Sequence, residues 1–444
     1  MNLSKLILLL EELEASCDTC NRCGMCQSVC PVFRETGREG DVARGKIALI
    51  EGLRREILTR PDRVLERLNR CLLCGACQRT CSRKVDLMNL FLESRTIISG
   101  YLGLPPYKKL IFRVIMIHPS LFDAVIRVIA RVQGFLNTPA FKKTWIRIAK
   151  VLPLLKGRNI LRLPGGSFRS ALDGTEEATA ASVKDKGPAV LFFTGCLIDK
   201  MMPEVGRACL MLFARAGIQA RVLKNEACCG IPALASGDRR SFDDLVELNV
   251  SQMWEHDFDV LVTACATCTM TIRDLWPRMA DSKNSSLRDA VSGLKNRTLD
   301  ISEYLLTRTS LLNDLKSLKA TGQPAVTVTY HEPCHLKQNS RAGKLIRELL
   351  SSLPGFRYVE MKDPDLCCGQ GGSFNLSHYD LSKKIGEKKA VNIVGSGAQI
   401  VVTSCPACMM QLKDMLAQAG SGVQVRHITE ILADVLEHQT SDGK

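Results

Sequence analysis

Val260-Leu261-Val262-Thr263-Ala264-Cys265-Ala266-Thr267-Cys268 and Ile400-Val401-Val402-Thr403-Ser404-Cys405-Pro406-Ala407-Cys408 are one pattern written twice. In each, a short β-branched and aliphatic run makes a buried strand, and a Cys-x-x-Cys sits directly at its end. Upstream of each lies a Cys-Cys-Gly, at 228–230 and 367–369, and before that a lone cysteine, Cys196 or Cys334. Equivalent cysteines are offset by 138, 139, 139, 140 and 140 positions, so insertions between the copies total at most two residues. A fixed register of that kind marks an internal repeat, running from residue 187 onward.

Both copies open on an apolar, β-branched or aromatic run, 189–194 and 326–330, that leads into the first cysteine. Helical patterns follow at 204–216 and 341–353, then a short strand into the Cys-Cys-Gly, then second helices near 242–254 and 381–393. Strands alternating with helices imply a parallel α/β sheet, with the cysteines on loops at strand ends, where open sheets place their sites. Ile301-Ser302-Glu303 recurs as Ile428-Thr429-Glu430, so the closing helices match as well.

A different spacing occupies the front of the chain: Cys20-x2-Cys23-x2-Cys26-x3-Cys30-Pro31, repeated as Cys71, Cys74, Cys77 and Cys81. Together the four runs hold 18 of the 20 cysteines, leaving only Cys17 and Cys209 outside. A Cys-x2-Cys-x2-Cys loop offers three thiolates to a 4Fe-4S cube, and in two-cluster ferredoxins the last cysteine of each run serves the other cluster. On that pattern Cys20, Cys23, Cys26 and Cys81 hold one cubane, and Cys71, Cys74, Cys77 and Cys30 the other. Cys17 offers a register shifted by three residues; Pro31, which turns the chain away after Cys30, favours the register given. Ser82 stands where the second run would carry that proline. Zinc ribbons also use paired Cys-x2-Cys units, but eight thiolates in three-plus-one spacing are a form that zinc does not need. Cys17 reads as a spare thiol, and Cys209, among Ala208, Leu210 and Leu212, as core packing.

The repeated copies carry five thiols each, one more than a cubane requires. Adjacent cysteines such as Cys228-Cys229 cannot both reach separate corners of a regular cube without strain, so an expanded or opened cluster is expected. The candidate metal ligands are Cys196, Cys228, Cys229, Cys265 and Cys268 in the first copy, and Cys334, Cys367, Cys368, Cys405 and Cys408 in the second. Gly230 and Gly369 are expected to let the backbone approach the inorganic core or to adopt positive φ.

A length of 444 residues suggests about three domains. Residues 6–10 are too short an apolar stretch for a signal peptide, which points to a reducing cytoplasm where thiolates stay free. The longest uncharged run, 390–412, is broken by Asn392, Gly395, Gly397, Gln399 and two cysteines and is not a membrane span. Of the net charge of +14, most lies in residues 101–170, which carry thirteen Lys and Arg against one acid, Asp123. Apolar spacing there, at 110–117, 121–132 and 145–155 with Phe112, Phe135 and Trp145, fits peripheral contact with an anionic membrane surface or docking on an acidic flavoprotein. Nucleic acid is not an expected partner, since no reading motif accompanies the charge. No Gly-x-Gly-x-x-Gly follows a strand, so the chain is not expected to bind a flavin or nicotinamide or to accept a hydride itself.

His331-Glu332-Pro333-Cys334-His335, Cys367-Cys368-Gly369-Gln370-Gly371-Gly372 and the five-cysteine spacing resemble the cysteine-rich domains of heterodisulfide reductase. That resemblance implies non-cubane 4Fe-4S clusters at the five positions, one or two in all, beside the two cubanes. With two ferredoxin motifs in front, the arrangement resembles the iron-sulfur subunits of glycolate oxidase, D-lactate dehydrogenase, anaerobic glycerol-3-phosphate dehydrogenase and fused heterodisulfide reductase, over about residues 18–436. Residues 65–74 and Ala43-Arg44-Gly45-Lys46-Ile47 look most like the glycolate oxidase type. Several glycolate oxidase subunits have a degraded first cysteine-rich copy, whereas both are intact here, which keeps a reductase reading open.

The expected fold is α+β and multidomain: an α-helical ferredoxin domain at 1–98, a basic helical connector and linker at 99–186, and tandem α/β cysteine-rich domains at 187–320 and 321–444. The resemblance implies an electron-transfer subunit of a flavin-dependent glycolate or D-lactate dehydrogenase. It would pass electrons from an FAD-containing partner to a quinone or membrane acceptor, in the cytoplasm or on the cytoplasmic face of the inner membrane. The alternative is a heterodisulfide-reductase-like subunit that reduces a disulfide at its non-cubane clusters. His331 and His335, flanking Cys334, read as loop histidines bonded to backbone or as proton donors beside a cluster.

Overall fold

Val190–Phe193 (β1), Ala220–Val222 (β2), Val260–Thr263 (β3) and Thr298–Asp300 (β4) form a parallel sheet in the order β2-β1-β3-β4. Val326–Tyr330 (β5), Phe356–Tyr358 (β6), Ile400–Thr403 (β7) and Gln424–His427 (β8) form a second, in the order β6-β5-β7-β8. The registers correspond: Val190 lies opposite Ala220 and Val260, and in the second sheet Val326 lies opposite Phe356 and Val328 opposite Ile400. All four residues of β1 and of β7 are buried, the continuous apolar run that a parallel strand needs when both faces are covered. In each sheet the chain leaves the first strand to one side and returns to the other. The carboxyl ends of β1 and β3, and of β5 and β7, therefore flank a topological switch point.

The structure is a computed structural model and describes residues 3–136, 157–159, 162–172, 188–279, 285–318, 324–337 and 341–441. The helix expected at 145–155, with Trp145, lies outside those residues, as does the linker stretch 173–186. By compactness the chain divides into two units. One comprises Met1–Val114 with Gly230–Asp244 and Leu366–Lys389; the other comprises Ile115–Cys229, Leu245–Asp365 and Ala390–Lys444 and holds both sheets.

In the first unit the helix Leu3–Glu11 buries Leu6 and Leu10, one turn apart, and packs on the helices Ala43–Arg54 and Leu87–Leu102. Asp86 caps the second of these by accepting from Asn89 N, and the helix stops before Gly103 at φ 81°. In the second unit the helix Pro203–Arg215 of the first copy packs on Ile428–Ser441 of the second, and Ala342–Ser352 of the second packs on Ile301–Arg308 of the first. The opening helix of each copy thus meets the closing helix of the other, a pseudo-twofold arrangement. Cys209 is fully buried on that seam beside Thr429. Helices dominate, with two small parallel sheets, so the architecture is the expected α+β one.

Candidate metal centres

The two front loops share a backbone course. Arg22 (φ 56°) and Gly24 (φ 87°) in the first correspond to Leu73 (φ 53°) and Gly75 (φ 68°) in the second. A left-handed conformation costs a non-glycine residue roughly 1–2 kcal/mol, so its recurrence at Arg22 and Leu73 marks an imposed shape. Five-residue helices follow, Met25–Val29 and Ala76–Thr80, and pack on one another. Cys30 and Cys81 end them with extended backbone. Pro31 then starts the next helix, with Phe33 N donating to Cys30 Sγ at 3.5 Å.

Cys30 lies beside Cys71 and Cys74; burial, and after it those two thiols, push its own thiol up to about 11. Cys77 is pushed well up by burial and then by Cys71, Cys74 and Cys30. The last cysteine of the first run is thus gathered with the three of the second loop. Leu73 N donates to Cys71 Sγ at 3.4 Å, and the Ala76 N–H reaches Cys74, so sulfurs here accept from main-chain donors. Cys26 and Cys20 lie close enough to interact, and Cys23 is exposed. Cys17 is only 1% exposed and is pushed up to about 11, chiefly by burial.

All five thiols of the first copy come together. Cys196 Sγ is 3.6 Å from Cys228 Sγ, Cys228 adjoins Cys229, and Cys268 adjoins both Cys229 and Cys265. Three buried side chains fix the loops. Glu226 accepts from Thr194 N (3.0 Å), Thr194 Oγ1 (2.9 Å) and Gly195 N (2.6 Å), which holds the turn carrying Cys196. Burial pushes its carboxyl up to about 7. Asn249 accepts from Ala227 N (2.8 Å) and donates to Cys228 O (3.0 Å), and Trp276 Nε1 donates to Cys229 O (2.9 Å). Each would otherwise leave a buried polar group unsatisfied, at about 1–3 kcal/mol apiece.

In the second copy Cys405 adjoins Cys408 and also Cys265 of the first copy, and the hydrogen bonds of those two thiols hold Cys405 well below the usual thiol range. Ala266 N donates to Ser404 O at 3.3 Å, so the two Cys-x-x-Cys loops meet through main chain too. Thr267 Oγ1 lies 3.6 Å from Cys405 Sγ and 3.1 Å from His335 Nδ1. Cys334 is half-buried on the turn after β5. Cys367 and Cys368 belong to the stretch Leu366–Lys389 of the helical unit. There Cys74 meets Cys367, and that contact, followed by burial, raises the Cys74 thiol well above its ordinary value.

Among the described residues no cysteine is joined in a disulfide. Sulfurs crowded in buried loops repel one another as thiolates, and Cys30, Cys74, Cys77, Cys228, Cys265 and Cys268 are driven toward the neutral form. A cationic core resolves that conflict, and an all-sulfur donor set with N–H groups on the sulfur fits iron-sulfur clusters. Spacing did not reveal Glu226, Asn249, Trp276 or Thr267. Asn249 and Trp276 follow their partners by 21 and 47 positions, so only folding brings them together. A buried-face asparagine in an otherwise amphipathic helix was the one available signal.

The fold and the four thiol sets define a class of protein, one that joins a dicluster front to two cysteine-rich repeats. A family model described as a 4Fe-4S dicluster domain matches residues 16–85, and one described as a cysteine-rich domain matches 190–273 and 328–413. A probable glycolate oxidase iron-sulfur subunit of Bacillus subtilis is 28% identical over 95% of this chain and 94% of its own length. A dihydromethanophenazine:CoB–CoM heterodisulfide reductase subunit of Methanosarcina barkeri is 24% identical over 96% and 95%. A fumarate reductase (CoM/CoB) subunit of Methanothermobacter marburgensis is 34% identical over 63% of this chain; the chain spans about half of that relative, 53%. The chain thus carries a dicluster domain and two cysteine-rich domains, and it is similar over nearly its whole length to glycolate oxidase iron-sulfur subunits.

Proposed function

We propose that this chain is the electron-transfer subunit of a flavin-dependent 2-hydroxyacid dehydrogenase, with glycolate or D-lactate as substrate. An FAD-containing partner removes the hydride, and this chain conveys electrons to a quinone or another membrane acceptor. Cys20, Cys23, Cys26 and Cys81 would hold one cubane, Cys30, Cys71, Cys74 and Cys77 the second, and the five cysteines of each repeat would hold non-cubane clusters. Bound there, such clusters supply one-electron chemistry. The protein's own part is to keep thiol sets in contact and to bury the sulfurs of the cysteine-rich repeats from water. The observation that carries the reading is contact between sets: Cys74 meets Cys367, and Cys265 meets Cys405.

The basic segment supports membrane docking. In the helix Pro119–Leu136, Leu121, Val128, Ile129, Val132 and Phe135 are 39–59% exposed, with Arg127 and Arg131 beside them. Its one acid, Asp123, is engaged by Lys200 at 2.5 Å. An apolar stripe rimmed by cations suits an anionic lipid surface. No described helix is long and apolar enough to cross a membrane.

The test is anaerobic. Glycolate or D-lactate added to this chain together with its FAD-containing partner should bleach the broad iron-sulfur absorption, and the same acid added to the chain alone should not. A flavoprotein that reduces quinone at full rate without this chain would overturn the reading. The second reading, a disulfide reductase, is favoured by five intact thiols in each copy. It requires the dithionite-reduced chain by itself to cleave a disulfide substrate.

A further inference from the structure

Two cations are buried in the helical unit without a described carboxylate at ion-pair distance. Lys46 is 1% exposed, and its Nζ donates to the main-chain oxygen of Asp41. The Asp41 carboxylate is turned instead toward Arg67 at 3.4 Å and Arg70 at 3.9 Å. Arg95 is 2% exposed and donates to Leu68 O (2.6 Å), Cys71 O (2.9 Å) and Ala235 O (2.8 Å), all main-chain acceptors. Among the described residues neither forms an ion pair with a carboxylate. The Asp41 oxygen that accepts from Lys46 Nζ also lies 3.9 Å from Cys30 Sγ, and Arg95 holds the main-chain oxygen of Cys71 itself; besides Asp41, the ionisable anions acting on Lys46 are the Cys71 and Cys30 thiols, and on Arg95 that of Cys71. Gly45 lets the helix bring Lys46 inside, because a Cβ there would lie 1.9 Å from Glu39 O.

The other front set is more exposed. Cys23 is at the surface, and Arg44, a cation that acts on Cys26 and Cys23, is half-exposed and bound to Glu39 at 2.5 Å. Burying an unpaired cation costs several kcal/mol, so the fold must gain a counter-charge where Lys46 and Arg95 lie. A cluster ligated by four thiolates is net negative and becomes more so on reduction. Its potential is set by net charge, hydrogen bonds to sulfur and solvent exposure.

We propose that Lys46, seconded by Arg95, is a positioning residue for charge: it raises the reduction potential of the centre at Cys30, Cys71, Cys74 and Cys77 above that of the centre at Cys20, Cys23, Cys26 and Cys81. Electrons would then collect on the front centre whose thiol Cys74 touches Cys367. The proposal rests on the ligand assignment given above and adds a polarity to it.

The experiment is an anaerobic redox titration, read by EPR, of the full chain with iron and sulfide in place. Cys30→Ala identifies which signal belongs to the buried centre. In Lys46→Met, at the ambient potential where that centre is half-reduced in the parent, the ratio of reduced to oxidised centre should fall by about tenfold, equivalent to 59 mV for a one-electron couple. The other cubane should not move, and Lys46→Arg should restore the parent ratio. Lys46→Gln keeps a donor for Asp41 O without the charge, and must shift in the same direction if Lys46→Met folds poorly. An unmoved ratio with normal iron content, or an equal shift of both cubanes, refutes the role of Lys46 alone. An iron-free parent protein refutes the ligand assignment itself, and the proposal with it.

Discussion

Replacing Gly369 by alanine tests whether the Cys-Cys pairs are held by backbone geometry that only glycine allows. Gly369 has φ +93°, and a Cβ there would sit 2.7 Å from Ser382 O and 3.3 Å from the Ile385 side chain. Ser382 lies within the helix Tyr379–Gly395, so its carbonyl cannot swing aside; its hydroxyl also donates to Gly369 O at 2.8 Å. The left-handed conformation costs an alanine roughly 1–2 kcal/mol, and overpacking against fixed atoms adds about 1–3 kcal/mol. Gly397 is the control, with φ +69° and nothing within 4 Å of a built Cβ, so Gly397→Ala carries only the first cost. Each kcal/mol shifts the unfolding temperature by about 2–4 °C in domains of 150–250 residues. Followed by circular dichroism under anaerobic conditions, Gly369→Ala should therefore melt several degrees below Gly397→Ala. It should also retain less iron, because relieving the overlap displaces the adjoining Cys367-Cys368 pair. Equal melting of the two variants with full iron content would refute the reasoning.

Cys30→Ala should lower iron and sulfide by one cubane while Cys17→Ser lowers neither, as measured by metal analysis; loss of a cluster in Cys17→Ser would restore the shifted register. Asp300, fully buried, has its pKa raised by burial from 3.8 to about 7, so the native state binds the extra proton. Its contribution to stability is complete below the unfolded value and lost as pH rises through about 7, some 4 kcal/mol in order of magnitude. Asp300→Asn keeps the cap to Ser302 N and should raise the melting temperature at pH 8 but not at pH 4; a uniform change at both would remove titration as the cause. His427, at the equivalent end of β8, is depressed by burial to about 4, so its contribution has the opposite sign and is lost as pH falls toward 4. For the basic segment, the protein should sediment with anionic lipid vesicles at low salt. At about 1 kcal/mol per cation, Arg127→Glu with Arg131→Glu should weaken that binding by tenfold or more; binding to an acidic flavoprotein and not to vesicles would overturn the lipid assignment.

The order of the first three strands of each copy and of the helices between them was legible because it rests on local signals; the short fourth strands, Thr298–Asp300 and Gln424–His427, were not read. Strand runs ending in cysteine, helical spacing between them and a nearly constant offset of 138 to 140 positions specify a tandem α/β repeat without tertiary information. The front loops were equally readable, since three thiols within seven residues can serve only a compact centre. Spacing could not show which thiol of one set touches the next, because Cys74 and Cys367, or Cys265 and Cys405, are brought together only by packing. It could not show that Gly230–Asp244 and Leu366–Lys389 join the helical unit.

The sequence by itself set out the candidate donors: which thiols stand ready for metal, and on which strand ends and loops they lie. Only the tertiary structure decided the electrostatic surroundings of those donors. In sequence Lys46 is one residue of the Ala43–Ile47 run, and Glu226 one acid among many. Whether a charge faces water, a carboxylate or a ring of thiols depends on what distant segments exclude from around it. Burial is a property of the packed chain, and periodicity along the sequence does not encode it for a single polar residue.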